Sequence, residues 1–203
     1  MTRRLSGPRL LVATHNQGKL EEIADLLKGF EIEVIGAAAL DLPEPEETGT
    51  TFAENARIKA HAAAQATGLP AMSDDSGLEV MALDGQPGVY TADWAETGSG
   101  RDFGMAMQKV HQGLLSVAAV SPWRARFCCT LVVAWPDGHD EIFEGMVPGQ
   151  IVWPMRGDQG HGYDPIFQPD GHTLTFGEMD RWEKNRMSHR ADAFAKFVAG
   201  CLG

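Results

Sequence analysis

The chain has few cysteines and no apolar run long enough to cross a membrane. Three cysteines among 203 residues, two of them adjacent, cannot form a disulfide framework, and no Cys-x-x-Cys or Cys/His zinc spacing occurs. This cysteine usage indicates a reducing, cytoplasmic compartment. The longest nearly apolar run, Phe127 to Trp135, falls well below the roughly 20 residues that a membrane helix needs. We therefore expect neither a secreted protein nor a membrane partner.

Positive charge is also scarce, which argues against nucleic acid as a partner. The chain has 17 Lys+Arg against 28 Asp+Glu, a formal net charge of -11. An acidic protein repels a phosphate backbone and an anionic membrane surface. A small anionic ligand is not excluded, because a few well-placed cations or a metal reverse the field locally. The length and a hydrophobic content of 43% fit one globular domain over residues 1–203.

Short apolar runs alternate with helical stripes, a pattern that predicts an α/β fold. The predicted strands are 10–13, 32–35, 71–77 with a continuation or hairpin through Leu83, 124–135, a partner through Ile142 and Phe143, and 149–153. The predicted helices begin near Lys19, Thr51, Phe103 and Ser188. Pro136-Asp137-Gly138 is a turn signal between two strands, so we expect a mixed sheet rather than a purely parallel one.

The first candidate for chemistry is the turn between the first strand and the first helix, Thr14-His15-Asn16-Gln17-Gly18-Lys19. A helix N-terminus presents unpaired N–H groups and a partial positive charge, and Lys19 would add a full charge. The turn is therefore a candidate phosphate cradle, although the GxxxxGK[ST] pattern is absent. An ordinary strand-to-helix turn with a solvated lysine is the alternative.

Carboxylates supply a second candidate. Asp74 and Asp75 end a short strand, and adjacent strand residues face opposite ways, so the two should have different roles. Magnesium takes one or two carboxylates and leaves its other positions to water and phosphates, which suits such a pair together with Glu47. We expect a solvated acidic loop at Glu44 and a helix-capping role for Glu54.

Two further segments are rich in groups that bind anions or bases. The first is the basic stretch near the C-terminus, which includes Lys184, His189 and Arg190. The second is Gly157–Pro165, where three glycines let the backbone approach a flat ligand, His161 and Tyr163 could stack on a base, and Asp164 could accept from a ring N–H. A charged surface helix and a long surface turn are the alternatives. No GxGxxG, HExxH or GxSxG pattern is present.

The order of these motifs resembles the inosine triphosphate pyrophosphatase (Ham1-like) family, the pyrophosphatases of non-canonical purine nucleoside triphosphates such as dITP and XTP. The matching blocks are Ala13-Thr14-His15-Asn16-Gln17-Gly18-Lys19, Glu47-Thr48-Gly49-Thr50-Thr51-Phe52-Ala53-Glu54-Asn55-Ala56, Ser73-Asp74-Asp75-Ser76-Gly77-Leu78, Gly85-Gln86-Pro87-Gly88-Val89-Tyr90, Gly162-Tyr163-Asp164-Pro165-Ile166-Phe167, Glu183-Lys184-Asn185 and Ser188-His189-Arg190. They span nearly the whole chain. One departure is His161, where the family usually has Phe.

The resemblance implies an elongated α/β fold of two lobes on a curved mixed sheet with flanking helices, a nucleotide cleft between the lobes, and a homodimer. It also implies hydrolysis of the triphosphate to a monophosphate and pyrophosphate with Mg²⁺. Glu47 and Asp75 would bind the metal, and Asp75 would be the proton acceptor. The substrate-binding residues implied are Thr14, His15, Asn16, Gln17, Gly18, Lys19, Lys59, Ser76, His161, Gly162, Tyr163, Asp164, Lys184, His189 and Arg190.

Two other functions remain open from the sequence. One is a pyrophosphatase of similar fold for pyrimidine or modified nucleotides. The other is a nucleotide sensor without turnover, although such a sensor has no need of the Glu47 and Asp75 pair.

Overall fold

The secondary structure alternates between strands and helices along the chain. The computed structural model describes residues 2–203. The strands are β1 Arg9–Val12, β2 Glu33–Gly36, β3 Ala71–Val80, β4 Glu96–Thr97, β5 Gly100–Arg101, β6 Trp123–Ala134, β7 Asp140–Ile151 and β8 Phe167–Pro169. The helices are α1 Gln17–Leu26, α2 Phe52–Thr67, α3 Phe103–Ser116, α4 Arg181–Met187 and α5 His189–Phe197, with a final π-helical turn at Val198–Leu202.

A mixed sheet organises the fold, which confirms the predicted α/β class. Within residues 2–203 the main sheet has six strands in the order β2-β1-β3-β6-β7-β8. β1 pairs in parallel with β2 and β3, whereas β7 and β8 are antiparallel. β4 and β5 form a separate small hairpin. No helix in the described part of the chain is long and apolar enough to span a bilayer.

Two predicted elements differ from the structure, and one helix was not predicted. β3 runs unbroken to Val80, as the strand alternative predicted, but a 3₁₀ turn at Met81–Leu83 replaces its predicted continuation and leads to an isolated antiparallel bridge between Glu79 and Pro87. The predicted strand at 149–153 is the end of β7, because the antiparallel pairing of Gly149–Ile151 with β8 extends that strand. The helix α4 was not predicted, since its seven residues are too few to show a helical period.

The chain divides into two compact units. The first contains the chain up to Asp75 together with Thr130–Glu144 and Ala193–Gly203, and the second contains Ser76–Cys129 and Gly145–Asp192. Each unit has its own apolar core. In the first, the alanines of α2 pack with Leu11, Val132 and Ala134.

The core of the second unit is larger and richer in aromatic side chains. Phe127, Tyr163, Phe167 and Phe176 pack there with residues of α3. β6 contributes to both cores, and its residues from Cys129 to Ala134 are all buried. The alternation of buried and partly exposed residues expected for a strand with one buried face therefore holds only for the first part of this strand.

The helix α2 begins and ends where its sequence predicts. The Thr51 side chain accepts a hydrogen bond from the backbone N–H of Glu54, and the Glu54 carboxylate accepts one from the N–H of Thr51, which completes a capping box. Gly68 closes the helix in the left-handed conformation, with φ of 69°. This confirms the capping role predicted for Glu54 and fixes the position of the two α2 residues described below, Asn55 and Lys59.

Candidate active site

The predicted phosphate cradle forms the N-terminus of α1, in the first unit. Asn16 is the N-cap, and its side-chain oxygen accepts a hydrogen bond of 3.1 Å from the backbone N–H of Lys19. Residues 15–18 are exposed, so the first N–H groups of the helix are accessible to a ligand. The remaining predicted residues are held locally: the Thr14 hydroxyl accepts from the N–H of Asn16, and the Gln17 amide donates to Glu21. His15 Nε2 lies 2.8 Å from the carbonyl oxygen of Leu42, which ties this turn to the loop before α2.

Lys19 is paired with a buried carboxylate. Its ammonium lies 3.1 and 3.0 Å from the two side-chain oxygens of Asp74, whose side chain is only 3% exposed. β1 and β3 are neighbouring parallel strands, so the helix that follows β1 begins near the residues of β3. Asp74 therefore holds the lysine of the cradle in place.

Lys59, one turn along α2 from Asn55, joins two parts of the first unit. Its ammonium donates to Glu47 Oε1 at 2.9 Å and to the carbonyl oxygen of Asp74 at 2.8 Å. The negative charges of Asp74, Asp75 and Glu47 outweigh the effect of burial and raise the pKa of Lys59. The lysine is thus a fixed positive charge, with its side chain 11% exposed.

Asp75 follows Asp74 on β3 but has a different partner. Its Oδ2 accepts a hydrogen bond of 3.2 Å from the side-chain amide of Asn55. Burial, together with the negative charges of Glu47 and Asp74, raises its pKa to about 6, against the lowering effects of Lys59 and Asn55. A carboxylate with such a pKa is ionised at neutral pH and still accepts a proton readily, which is what a general base requires.

In the second unit, the predicted base-binding turn is held by Asp164. Asp164 is 2% exposed, and its Oδ2 accepts hydrogen bonds from the ammonium of Lys184 and, at 2.8 Å, from the backbone N–H of His161. Gly160 has φ of +73°, and a Cβ there would lie 2.1 Å from the Asp164 carboxylate, so the turn requires glycine at this position. The buried ion pair fixes both the turn and the start of the C-terminal region.

Tyr163 anchors the same turn from its other side. The ring is 1% exposed and packs edge-on against Phe103, with centroids 5.7 Å apart. Its hydroxyl donates to the carbonyl oxygen of Thr91 at 2.9 Å, and burial raises the pKa of the phenol. The Tyr163 side chain is therefore committed to the core, and we assign no stacking role to its ring.

The remaining predicted residues of the second unit make separate contacts. Arg190, on α5, is 8% exposed and its guanidinium lies 3.4 Å from the hydroxyl of Ser76 on β3. His189 stacks on Phe127, with centroids 5.1 Å apart and the planes at 16°. Gly162 adopts φ of +68° beside Phe103.

The predicted residues thus form one connected group in the first unit and several separate contact sets in the second. In the first unit, the lysines and carboxylates are joined by direct contacts, and Asp75 is reached through Asn55. In the second unit, His161, Asp164 and Lys184 form one contact set. Two residues that hold the site together were not identified from the sequence. The role of Asp74 could not be separated from that of Asp75, and Asn55 was not singled out. The signal for Asn55 was its place directly after the capping box.

Comparison with known proteins assigns this chain to a family. A protein of Ruegeria pomeroyi named dITP/XTP pyrophosphatase is 66% identical over 203 residues, which covers 100% of both chains. A protein of the same name from Agrobacterium fabrum is 57% identical over 98% of this chain and 99% of its own. The structure of a HAM1 protein from Coxiella burnetii superposes with a TM-score of 0.89 at 37% identity, over 95% of this chain and 98% of that one. The sequence profile of the Ham1 family matches residues 10–200, and the chain belongs to that family.

Proposed function

We propose that this protein hydrolyses the triphosphates of non-canonical purine nucleosides (ITP, dITP and XTP) to the monophosphate and pyrophosphate. One observation carries the proposal: two lysines and two carboxylates of the first unit lie around the carboxyl group of Asp75, whose pKa is raised to about 6. The relatives from Ruegeria pomeroyi and Agrobacterium fabrum described above are named dITP/XTP pyrophosphatase, which supports the proposal.

The phosphates would be bound by the first unit. A triphosphate repels an attacking nucleophile, and positive charge at its oxygens lowers that barrier. Lys19, Lys59 and the N–H groups at the start of α1 would provide part of this charge, and a metal held by the neighbouring carboxylates would provide the rest. A lysine at about 4 Å from a phosphate oxygen contributes roughly 4 kcal/mol at an effective dielectric constant of about 20, before the cost of desolvation.

The carboxylates Glu47 and Asp75 have the chemistry that Mg²⁺ requires. Residues 2–203 contain no group of three or more His, Cys, Asp or Glu side chains that could enclose a metal ion. Two carboxylates suffice for Mg²⁺, which fills its other positions with water and phosphate oxygens. The negative charge of Glu47 raises the pKa of Asp75, so a cation held by both would relieve their repulsion. When bound, Mg²⁺ would neutralise charge on the phosphates and favour ionisation of water.

Asp75 is the proposed proton acceptor. A water oxygen attacks the α-phosphorus, the bond from this phosphorus to the bridging oxygen breaks, and pyrophosphate leaves with that oxygen. The Asp75 carboxylate takes the proton from the attacking water as the new bond forms. Lys19 and Lys59 hold negative charge on the phosphates in this step.

Residues of the second unit are proposed to bind the base and complete phosphate binding. Hypoxanthine and xanthine have a 6-oxo acceptor where adenine has a 6-amino donor. Buried donors that meet the wrong base lose a hydrogen bond, which disfavours that base more strongly than shape does. The proposed set is Ser76, His161, Gly162, Tyr163 through its backbone, Asp164, Lys184, His189 and Arg190.

The domain organisation, the oligomeric state and the cellular compartment are part of the same proposal. We expect residues 1–203 to act as one catalytic domain of two lobes, the enzyme to be a homodimer, and its compartment to be cytoplasmic. The resemblance to the family supports the dimer, and light scattering after size-exclusion chromatography tests it. A monomer at assay concentration would contradict this part of the proposal without affecting the reaction.

The reaction is tested with a panel of nucleotides. Release of pyrophosphate, coupled to an inorganic pyrophosphatase and a phosphate assay, should be fastest with ITP, dITP and XTP and much slower with ATP, dTTP and UTP. Asp75→Asn should abolish release but retain binding of a non-hydrolysable analogue, and excess chelator should stop the wild-type reaction. A preference for pyrimidines would overturn the proposed substrate class, and nucleotide binding without turnover would indicate a sensor.

A further inference from the structure

Asn55 is a buried polar residue at the start of α2 that no proposed step uses. It is 4% exposed, and both ends of its side-chain amide are engaged. The nitrogen donates to Asp75 Oδ2 at 3.2 Å, and the oxygen accepts a hydrogen bond of 2.8 Å from the backbone N–H of Gly49. A buried amide with both ends satisfied is fixed in orientation, because rotating it would break two hydrogen bonds.

The contact with Gly49 is unusually close. A Cβ at position 49 would lie 2.6 Å from the Asn55 side-chain oxygen and 2.6 Å from Cβ of Glu54. Only glycine lets the backbone approach the helix at this distance. Gly49 is two residues beyond Glu47, so one side chain connects the segment that carries Glu47 to the carboxylate of Asp75.

We propose that Asn55 is a positioning residue for the hydrolysis proposed above, on which this inference rests. Its nitrogen holds the Asp75 carboxylate in one orientation, and its oxygen holds the backbone beyond Glu47. Asn55 itself contacts neither substrate nor metal.

The residue type fits this role. Asparagine carries a donor and an acceptor on one short, planar group. Aspartate of the same shape keeps the acceptor for Gly49 but presents a second carboxylate oxygen to Asp75. Alanine or leucine provides neither bond. A general base must be held to a fraction of an ångström, and a displacement of about 1 Å can reduce turnover on the order of a hundredfold.

A purely structural role makes a different prediction. If Asn55 only satisfies buried polar groups, its replacement lowers stability, and the folded fraction keeps its turnover number. If Asn55 positions Asp75, kcat falls while KM and the binding of a non-hydrolysable analogue change little, since the cradle residues are untouched.

The first experiment compares Asn55→Asp with Gln65→Glu at about pH 8, where free carboxyl groups are ionised. Gln65 lies on the same helix and is exposed, so its variant is a matched amide-to-carboxylate control. We expect kcat of Asn55→Asp to fall on the order of a hundredfold; its KM rises as well, because the added charge repels the triphosphate, so the charge-neutral Asn55→Ser should show the loss in kcat with KM within about threefold of wild type. A kcat within twofold of the control, or a loss that lies in KM alone, would overturn the proposal.

The second experiment measures the direct interaction between residues 55 and 75 without using activity. Asn55→Asp should lower the Tm by on the order of 5 °C, because two carboxylates then face each other. Adding Asp75→Asn reverses the donor and acceptor of the pair, so it should raise the Tm by more in the Asn55→Asp background than it does in the wild-type protein. Additive effects on Tm would overturn the proposed contact. If Asn55→Asp does not fold, Asn55→Ser is assayed by the same kinetic criteria.

The two experiments separate this inference from the proposed function. If Asp75→Asn alone keeps near-wild-type turnover, Asp75 is not the base and the proposed mechanism fails, whatever the coupling to Asn55. If Asp75→Asn is inactive but Asn55→Asp behaves like its control, the mechanism stands and the role assigned to Asn55 is wrong.

Discussion

Replacing Asp75 with asparagine should make the metal-free protein more stable at neutral pH. Burial and neighbouring negative charges raise the pKa of this carboxyl from 3.8 to about 6. The folded state therefore binds its proton more tightly than the unfolded chain does, and ionising it costs stability. A shift of roughly two units corresponds to about 3 kcal/mol, since each unit is worth about 1.4 kcal/mol.

The direction of the pKa shift sets the pH range in which Asp75 changes the stability of the protein. Between pH 3.8 and about 6 the folded protein holds more protons at this site than the unfolded chain, so the contribution of Asp75 to stability falls as pH rises. Asparagine does not titrate and can still accept the hydrogen bond from Asn55. The variant should therefore gain most above about pH 6 and nothing below pH 3.8.

Thermal unfolding in the presence of a chelator measures the effect. For a protein of this size, about 3 kcal/mol corresponds to a Tm increase of roughly 6 to 12 °C. The control is Asp84→Asn, the same change at an exposed carboxylate. A Tm gain for Asp75→Asn that is absent above about pH 6, or that does not change with pH, would refute the electrostatic account of Asp75.

Three other variants test separate parts of the structure. Thr51→Ala removes the cap of α2 and should lower stability by about 1 kcal/mol, measured by urea unfolding, while Thr51→Ser should retain most of it. Tyr163→Phe leaves the partly buried carbonyl of Thr91 without its phenol donor and should cost about 1 kcal/mol by the same assay; an unchanged midpoint contradicts that contact. Lys59→Met removes the cation that lowers the pKa of Asp75, so carboxyl NMR of the metal-free variant should show that pKa above 6, and a lower value would be inconsistent with it.

The sequence predicted those helices and strands whose ends carry a strong local signal, such as a capping box or a terminal glycine. Thr51 and Glu54 form the predicted capping box, and Gly68 ends the same helix. The strand after Arg124 was predicted because its apolar run is long. Where a signal was short the prediction failed: α4 has seven residues, and the end of β7 was assigned to a separate strand because its pairing with β8 is not a local property.

The site was predicted through its order of motifs rather than through its contacts. The sequence indicated that Asp74 and Asp75 have different roles, because neighbouring strand residues point to opposite faces. It could not show which carboxylate would pair with Lys19, 55 residues away, since that contact depends on the parallel pairing of β1 and β3. Asn55 was visible only as part of a motif, because its contact with Asp75, 20 residues away, depends on how α2 packs on β3.

The side-chain charges of the first unit predict how a bound divalent cation affects binding of the triphosphate. Lys19 and Lys59 supply two positive charges, and Glu47, Asp74 and Asp75 supply three negative ones when Asp75 is ionised, so these side chains sum to a net charge of -1. Such a group does not attract a triphosphate. A divalent cation reverses the net charge to +1, so it should strengthen binding of a non-hydrolysable analogue as well as turnover. Binding by calorimetry with and without Mg²⁺ checks this, and equal affinities would mean that the backbone of the cradle alone attracts the phosphates.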